Sequence, residues 1–269
     1  MRIPFTKLHG AMNDFLITPA ADVPITDLQE LAIAICNRYT GVGADGWMIL
    51  DATEGQTPEG NGYDATIRLF NSDGSEPELS GNGTRCAGLL VARETQRDLV
   101  RIRTGAGVKE LKVISSADRE FQFEMNMGAV HVIELHADVQ GLDAVLVDVG
   151  NPQCAIPVRD FDFDWRAVGA SIERDRRFPN RTNVSFIRPQ DAHSIDVRFW
   201  ERGAGETNSS GTGSTGAAVA AAARGLVKSP VNVLTPAGPL LLRLAGEVYL
   251  TGPAEYVADG FFMYGRNVS

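Results

Sequence analysis

Two serines of this chain stand in the same local pattern, and that pattern is suited to holding an anion. Ser80 and Ser210 each precede a Gly-x-Gly triplet, and each triplet opens an Ala-rich or Leu-rich segment. Ser is a preferred helix N-cap, and the small residues after it leave backbone N–H groups open to a ligand. These N–H groups carry the positive end of the helix dipole, so they suit a carboxylate or a phosphate. For either serine alone, simple capping of its helix is the more common role.

The two patterns belong to one internal repeat, which aligns without a gap at a constant offset. The copies begin at Ile67, with IRLFNSDGSEPELSGNG, and at Val197, with VRFWERGAGETNSSGTG. The coincident pairs are Arg68 with Arg198, Glu76 with Glu206, Ser80 with Ser210, Gly81 with Gly211 and Gly83 with Gly213. Asn71 falls on Glu201. Each copy predicts a strand, a Gly-rich loop and a helix. A duplicated unit can place two such helix starts on either side of a cleft, around one small anion.

Composition excludes several classes of function. With 22% charged and 43% hydrophobic residues, the chain is typical of a soluble globular protein. Its net charge of −9 argues against nucleic acid as a partner. It has no apolar run near the roughly 18 residues that span a membrane. The first residues lack the apolar core of a signal peptide, so we expect a cytoplasmic protein. The three cysteines and four histidines show no metal-site spacing, so we expect no metal.

The remaining elements extend the repeat. The order helix, Asn-Arg, Thr-x-Val, strand occurs at residues 37–50 and again at 180–187. A capping box at Thr26 and Gln29 predicts the start of the first of these helices. The glycine-rich loop at residues 41–46 has no phosphate-binding fingerprint, so a nucleotide site is not supported. Asn13 could be a turn residue or could contact a ligand, and the residues alone do not decide between the two. Asn151 could be a turn residue only.

Strands outnumber helices in this pattern, which predicts an α+β protein of two pseudo-symmetric lobes. Each lobe would be a curled mixed sheet around a central helix. We expect an N-terminal lobe over residues 1–118 and a C-terminal lobe over 119–260. A last strand at about 261–269 would return to the N-terminal lobe.

Along essentially its whole length the chain resembles the diaminopimelate epimerase family. The matching motifs are HGAMNDF, GVGADG, FNSDGSEPELSGNGTRC, GNPQC, RTNVSF and ERGAGETNSSGTG, in this order. The resemblance implies two pseudo-symmetric lobes with the active site between them. It implies an isomerase that interconverts L,L- and meso-diaminopimelate, a lysine and cell-wall precursor, without a cofactor. One base would remove the α-proton from one face, and an acid would deliver a proton to the other.

The family's functional positions can be placed on this sequence residue by residue. The acid and base positions fall on Ser80 and Ser210. The α-carboxylate would sit on the helix starts at Gly81–Asn82 and Gly211–Thr212. The resemblance places further substrate contacts at Asn13, Asn71, Asn151, Asn183, Glu201 and Arg202. Within this set, Arg202 would hold the distal carboxylate and Glu201 the ammonium. The alternative for these two residues is an ordinary surface ion pair.

The chain departs from the family at the acid and base themselves, where the family has two cysteines. A thiol has a pKa of about 8.5, whereas an alcohol lies closer to the roughly 15.7 of water. Two serines should therefore be much poorer at removing an α-proton. Gln153 stands where the family usually has His, and Met12 where it usually has Gly. Gly46 occupies a position that is sometimes a polar contact. Cys86 and Cys154 match ordinary non-catalytic positions and are expected to be buried thiols.

Three interpretations remain open. In the first, both cysteines were replaced by engineering to trap a substrate complex. In the second, the chain is a natural Ser/Ser enzyme, slow on diaminopimelate or acting on another amino acid by epimerisation or dehydration. In the third, the chain binds amino acids without catalysis. The changes at Met12, Gly46 and Gln153 favour natural divergence. Family members are often homodimers, but Ala258 lies where relatives often carry an aromatic residue, which weakens the expectation of a dimer here.

Overall fold

The computed structural model describes residues 1–25 and 27–265. Within these residues the chain forms four α-helices and one short 3-10 helix, Ala20–Asp22. The α-helices are α1 (Leu28–Cys36), α2 (Gly81–Thr95), α3 (Trp165–Glu173) and α4 (Gly211–Ala223). None of them is long and apolar enough to span a lipid bilayer.

Strands make up most of the regular structure, as the sequence predicts. The first nine are β1 (Arg2–Gly10), β2 (Asn13–Pro19), β3 (Gly46–Asp51), β4 (Gly55–Gln56), β5 (Gly62–Tyr63), β6 (Ala65–Asn71), β7 (Leu99–Thr104), β8 (Gly107–Ala117) and β9 (Glu120–Gly128). The others are β10 (His131–Val139), β11 (Leu142–Asp148), β12 (Pro152–Pro157), β13 (Asn183–Asp191), β14 (Ser194–Glu201), β15 (Gly205–Thr207), β16 (Val231–Thr235), β17 (Gly238–Ala245) and β18 (Glu247–Met263). The α+β class is confirmed.

The chain divides into two compact units. Unit 1 contains Met1–Met125 and the chain from Pro253 onward, and unit 2 is Asn126–Gly252. The sequence predicts boundaries after residue 118 and at about residue 261. In the structure the first boundary lies later, after Met125, and the second lies earlier, at Pro253. The first displacement arises because β9 folds back on β8, with Leu111 opposite Met125. The second arises because β18 already pairs with β1 at Glu255. Residues 266–269 of the expected last strand lie outside the described residues.

Unit 1 is a mixed sheet wrapped on α2. Its strand order is β1, β2, β3, β6, β7, β8, β9, and the end of β18 pairs with β1. Helix α2 packs on β1, β2, β6, β7 and β8, and nearly all of its residues from Asn82 to Ala92 are buried. A second cluster lies around α1, where Leu31 and Ile35 pack with Trp47 and Phe70. The central helix predicted for this lobe is present.

Unit 2 has the corresponding arrangement. Its strands run in the order β10, β11, β12, β13, β14, β16, β17, with β15 on the end of β14. Helix α4 packs on β10 through β14, and its Ala and Gly residues let those strands approach closely. Helix α3 covers a second cluster with Ile172 and Phe186.

The internal repeat appears as matching strand–helix–strand crossovers. In unit 1, β6 leads through α2 to the parallel strand β7, and β2 leads through α1 to the parallel strand β3. In unit 2, β14 leads through α4 to β16, and β12 leads through α3 to β13, again in parallel. Parallel neighbours require such a crossover connection, so the repeated sequence produces a repeated topology.

One local prediction takes a different form. Helix α1 is capped by Asp27, whose side chain accepts from the N–H groups of Gln29 (2.9 Å) and Glu30 (3.2 Å). The predicted cap, Thr26, lies outside the described residues. Asp is as good an N-cap as Thr, and here its carboxylate satisfies two free N–H groups.

Candidate active site

The helix start in unit 1 is built by Ser80. Its backbone is extended (φ −128°, ψ 118°), and its Oγ accepts a hydrogen bond from the N–H of Gly83 at 3.1 Å. The N–H of Thr84 donates to the Ser80 carbonyl at 2.8 Å. The N–H groups of Gly81 and Asn82 have no acceptor within the described part of the chain. They are the free donors that a helix start offers to an anion.

The helix start in unit 2 repeats this geometry at Ser210. Its backbone is again extended (φ −140°, ψ 123°), and its Oγ accepts from the N–H of Gly213 at 3.1 Å. The N–H of Ser214 donates to the Ser210 carbonyl at 2.9 Å. Among residues 1–25 and 27–265, the N–H groups of Gly211 and Thr212 likewise find no acceptor. Both serines therefore cap their helices, and each leaves a matched pair of donors.

The two helix starts differ in what accepts the serine proton. Ser210, which is 4% exposed, donates to Oε2 of Glu201 at 2.9 Å. Thr207 donates to the other oxygen, Oε1, at 2.5 Å. Burial raises the pKa of Glu201 above its usual value, and these two hydrogen bonds only partly oppose the shift. In unit 1 the corresponding Asn71 instead donates to Ser75 Oγ at 2.9 Å.

Four other predicted site residues of unit 2 lie in contact in two pairs. Asn151 donates to Thr212 Oγ1 at 3.4 Å, beside the helix start. Asn183 accepts from the backbone N–H of Arg202 at 3.0 Å and donates to a backbone carbonyl at 3.0 Å. The Arg202 side chain is exposed and donates to the carbonyl of Asn180 at 3.2 Å. The asparagines thus hold the segments that carry the other predicted contacts.

In unit 1 the structure brings Asn13 to the helix start. Asn82 Nδ2 donates to Asn13 Oδ1 at 3.2 Å, and Asn13 Nδ2 donates to Asp45 Oδ2 at 2.7 Å. Asn71 lies at the end of β6, opposite Gly46, and its side chain bonds within its own loop. The asparagine of the first turn, Asn13, is therefore more than a turn former.

Two charged residues at these segments escaped the sequence analysis. Arg85, on the first turns of α2, is 0% exposed. Glu173, at the end of α3, is 2% exposed and accepts from Trp200 Nε1 (3.1 Å) and from the N–H of Gly203 (3.0 Å). It thereby holds both sides of the dipeptide 201–202. For Arg85 the available signal was a charged residue directly before the apolar run of residues 86–92. Glu173 carried no such signal.

Two departures from the family pattern, Gly46 and Met12, can be judged from the backbone around them. A Cβ at Gly46 would lie 2.9 Å from the carbonyl oxygen of Phe70, so no side chain fits there. Met12 adopts a left-handed backbone (φ 60°) in the turn between β1 and β2, and it is 61% exposed. That conformation favours glycine.

Gln153 is the third departure. It is 2% exposed and packs where α4 has Gly216. Its Nε2 donates to Asn151 Oδ1 at 2.6 Å. Its Oε1 is buried without a partner in the described residues. An amide can orient Asn151 but cannot carry a proton in acid–base chemistry.

The cysteines are not candidates for the missing acid and base. Cys36, Cys86 and Cys154 are all free and buried, and burial raises the pKa of each thiol to about 12. The expectation that Cys86 and Cys154 are buried thiols is confirmed. No cluster of side chains suited to a metal ion occurs in the described ranges.

Solved structures with this architecture include amino-acid epimerases. A hydroxyproline epimerase from Agrobacterium vitis with bound trans-4-hydroxy-L-proline matches with a TM-score of 0.69 and 15% identity, over 97% of this chain and 92% of that one. A phenazine biosynthesis protein of the PhzF family from Bacillus anthracis matches with a TM-score of 0.73 and 16% identity, over 98% and 100%. At such identities the likeness shows the fold alone.

The sequence comparisons identify the family. The family model described as diaminopimelate epimerase matches residues 5–133 and 145–257. Proteins named diaminopimelate epimerase are 35% identical over 282 residues in Halothermothrix orenii and 36% identical over 281 residues in Pseudomonas fluorescens. The matches cover 97% of this chain and 98% and 99% of those proteins. The chain therefore belongs to the diaminopimelate epimerase family, and it is an amino-acid epimerase by class.

Proposed function

We propose that this protein interconverts L,L- and meso-diaminopimelate by proton transfer at Cα, without a cofactor, in the synthesis of lysine and cell-wall precursors. The observation that carries the proposal is the pair of matched helix starts, each with a capping serine hydroxyl. The substrate α-carboxylate would accept hydrogen bonds from the free N–H groups of Gly81, Asn82, Gly211 and Thr212. When the α-proton leaves, negative charge from the α-carbon spreads onto the carboxylate oxygens, and fixed N–H donors stabilise that charge.

The proton transfer would use Ser210 and Ser80 on opposite faces of the α-carbon. In one direction the Ser210 proton passes to Oε2 of Glu201, and Ser210 Oγ takes the α-proton as it leaves. Ser80 then gives its hydroxyl proton to the other face of the carbon. The cycle closes when the Ser80 alkoxide regains a proton from solvent and Glu201 releases to solvent the proton it took from Ser210. One C–H bond breaks and one forms, so the stereocentre inverts without loss of atoms. In the reverse direction the same steps run backwards. Ser80 loses its proton to solvent and takes the α-proton, and Ser210 gives its proton to the other face and regains one from Glu201. The proposal requires both hydroxyls to reach one carbon.

Glu201 is the residue that makes a serine base plausible in this mechanism. Its raised pKa makes its carboxylate a better proton acceptor than an ordinary glutamate. The gap to the roughly 15.7 of an alcohol remains large, so we expect slow turnover. Only two of about four lone pairs on the carboxylate are used by Ser210 and Thr207, so it can also accept from the substrate ammonium.

The distal end of the substrate would be held by the remaining family positions. Arg202 donates one N–H to Asn180, and its other guanidinium N–H groups can bind the distal carboxylate. Asn183 fixes the backbone of Arg202, and Asn151 lies at Thr212 beside the helix start. Asn71 would contribute from the end of β6.

Gln153 favours a second candidate function. Because this side chain cannot exchange protons, the site lacks a titratable group at a position where the family usually has one. The same helix starts would then serve epimerisation or dehydration of a different amino acid. The carboxylate site would be unchanged, and the side-chain contacts would differ.

Deuterium incorporation at Cα in D2O tests these functions together. We expect slow incorporation into L,L-diaminopimelate, with loss when both Ser80 and Ser210 are changed to Ala. Incorporation into another amino acid from a panel, with none into diaminopimelate, would support the second candidate. If calorimetry detected binding but no amino acid exchanged, the chain would be a binder rather than an epimerase.

A further inference from the structure

Arg85 is a fully buried cation that pairs with no carboxylate in the described part of the chain. Its side chain is 0% exposed, and it donates to three neutral oxygens. These are the carbonyl of Pro253 at 3.0 Å, the carbonyl of Gly81 at 3.4 Å and Oδ1 of Asn82 at 2.6 Å. Within residues 1–25 and 27–265 it forms no salt bridge. Burial lowers the pKa of Arg85 to about 10, which leaves it charged at neutral pH.

The nearby acids are already neutralised by other cations. Asp45 lies 2.7 Å from Arg38, and Asp14 lies 2.8 Å from Arg38 and 2.9 Å from Lys7. Two carboxylates therefore face two cations, and Arg85 remains in excess. Its charge has the same sign as the helix start that it contacts at Gly81. A buried charge without a partner is costly, so this arrangement is best explained by an anion that arrives with the ligand.

Arg85 also begins a chain of hydrogen bonds that fixes two amides. Arginine only donates, so Asn82 must present its oxygen to Arg85 and its nitrogen to Asn13. Asn13 must then accept through its oxygen and donate through its nitrogen to Asp45, which only accepts. The orientation of both amides is determined from both ends. One N–H of the Asn13 amide has no acceptor among the residues that the structure describes, and this side chain is only partly buried.

We propose that Arg85 is a positioning residue for the substrate α-carboxylate. It turns the amides of Asn82 and Asn13 so that they offer N–H donors, and its charge balances the carboxylate bound at Gly81–Asn82. This inference rests on the proposed function only in that the ligand is an amino acid bound at this helix start. It assigns selectivity for a free carboxylate over a neutral amide to a residue that does not touch the ligand.

The test compares an acid ligand with its amide in three variants. Arg85→Gln keeps a donor to Asn82 but removes the charge, Arg85→Lys keeps the charge, and Arg85→Met removes both. Binding of L,L-diaminopimelate and of its α-carboxamide is measured by calorimetry. For the acid we expect Kd to rise at least tenfold in Arg85→Gln, more in Arg85→Met and less in Arg85→Lys. For the carboxamide we expect changes of less than threefold.

The control is Arg101→Gln, which removes a positive charge from the exposed pair that Arg101 forms with Glu110 in unit 1. We expect it to leave both Kd values unchanged. Circular dichroism and unfolding curves establish that each variant is folded. If Arg85→Met does not fold, Arg85→Gln and Arg85→Lys carry the comparison.

The outcomes separate this inference from the proposed function. Equal weakening of acid and carboxamide would show a structural role for Arg85 and overturn the inference, even if diaminopimelate is the substrate. If diaminopimelate does not bind but another amino acid does, and the Arg85 variants weaken binding of that acid and not of its carboxamide, the inference is supported and the proposed substrate is wrong. If the unmodified protein binds no amino acid at millimolar concentration, both are overturned.

Discussion

Ser210 donates a hydrogen bond to Glu201, with Oγ 2.9 Å from Oε2. Ser80 has the same capping geometry, but the residue that corresponds to Glu201 is Asn71, which bonds to Ser75. A duplicated strand–helix unit has thus become chemically unequal at its two copies. Among the described residues, only the second copy couples its serine to a carboxylate. Several expected results follow from this difference.

Restoring thiols at both capping positions should raise α-proton exchange by orders of magnitude. In Ser80→Cys with Ser210→Cys, each group has a pKa of about 8.5 before any effect of the helix. Each tenfold in rate corresponds to about 1.4 kcal/mol of barrier. The helix dipole contributes only about 0.3–1 kcal/mol at an exposed end, so it cannot replace the thiols. The measurement is deuterium incorporation into diaminopimelate.

The single variants should recover much less, because one good base still faces one poor acid. The matched control is Ser209→Cys, which places a thiol next to the helix start at a buried residue that does not cap it. We expect no gain from it. No gain in the double variant would contradict two-base catalysis and favour the binding interpretation.

Glu201→Gln should lower exchange by the unmodified protein about 10²–10⁴-fold, the usual contribution of a positioned acid or base. Glutamine retains a hydrogen-bonding side chain but cannot accept the Ser210 proton. The control is Glu206→Gln, which alters an exposed glutamate paired with Arg166 near the same turn. Equal rates in all three proteins would mean that the Ser210–Glu201 hydrogen bond has no part in proton transfer.

Glu173 should make stability depend on pH in the acid range. Burial alone would raise the pKa of Glu173, but hydrogen bonds from Gly203 and Trp200 and the charges of Arg181 and Arg174 outweigh it and hold that pKa below 4.5. Because the folded pKa is lowered, the stabilisation is present above the unfolded value. It is lost as pH falls through the folded value.

Urea unfolding of Glu173→Gln measures this contribution. The variant should be less stable than the unmodified protein at neutral pH, and the difference should shrink as pH falls below 4.5. The exposed Glu94→Gln serves as control and should show no such trend. A difference that stayed constant over this pH range would argue against an ionised Glu173 in the folded protein.

Met12→Gly should stabilise the protein. A left-handed backbone at a non-glycine residue destabilises the folded state by roughly 1–2 kcal/mol, and glycine removes this cost. Glycine also raises the conformational entropy of the unfolded chain, which destabilises the protein by about 0.4–1 kcal/mol. We expect a net gain of roughly 0.5–1 kcal/mol in the free energy of unfolding, from the same two terms. Met12→Ala is the control, because it shortens the side chain without relieving the backbone. Equal effects of the two would show that the turn is not strained.

Local sequence alone determined the features that depend on near neighbours. Ser80 and Ser210 cap helices because Ser-Gly-x-Gly has that preference wherever it occurs. The gapless repeat predicted matching strand–helix units, because equal patterns form equal local structure. The alternating residues on either side of a Gly-containing turn, within residues 99–114, likewise form the local hairpin of β7 and β8.

The tertiary structure decided what depends on residues distant in sequence. The sequence places Arg85 in a helix but does not show whether it is exposed. In the structure the carbonyl of Pro253, far along the chain, accepts a hydrogen bond from its buried side chain. From the sequence, Gly46 is the loss of a side chain that is sometimes a polar contact. In the structure the backbone of Phe70 occupies the space that such a side chain would need. Glu173 acquires its role from Trp200, which lies in the second strand after α3, and from Gly203, which lies just beyond that strand. Such contacts are set by the packing of whole elements, and a local pattern carries no information about which partner will arrive.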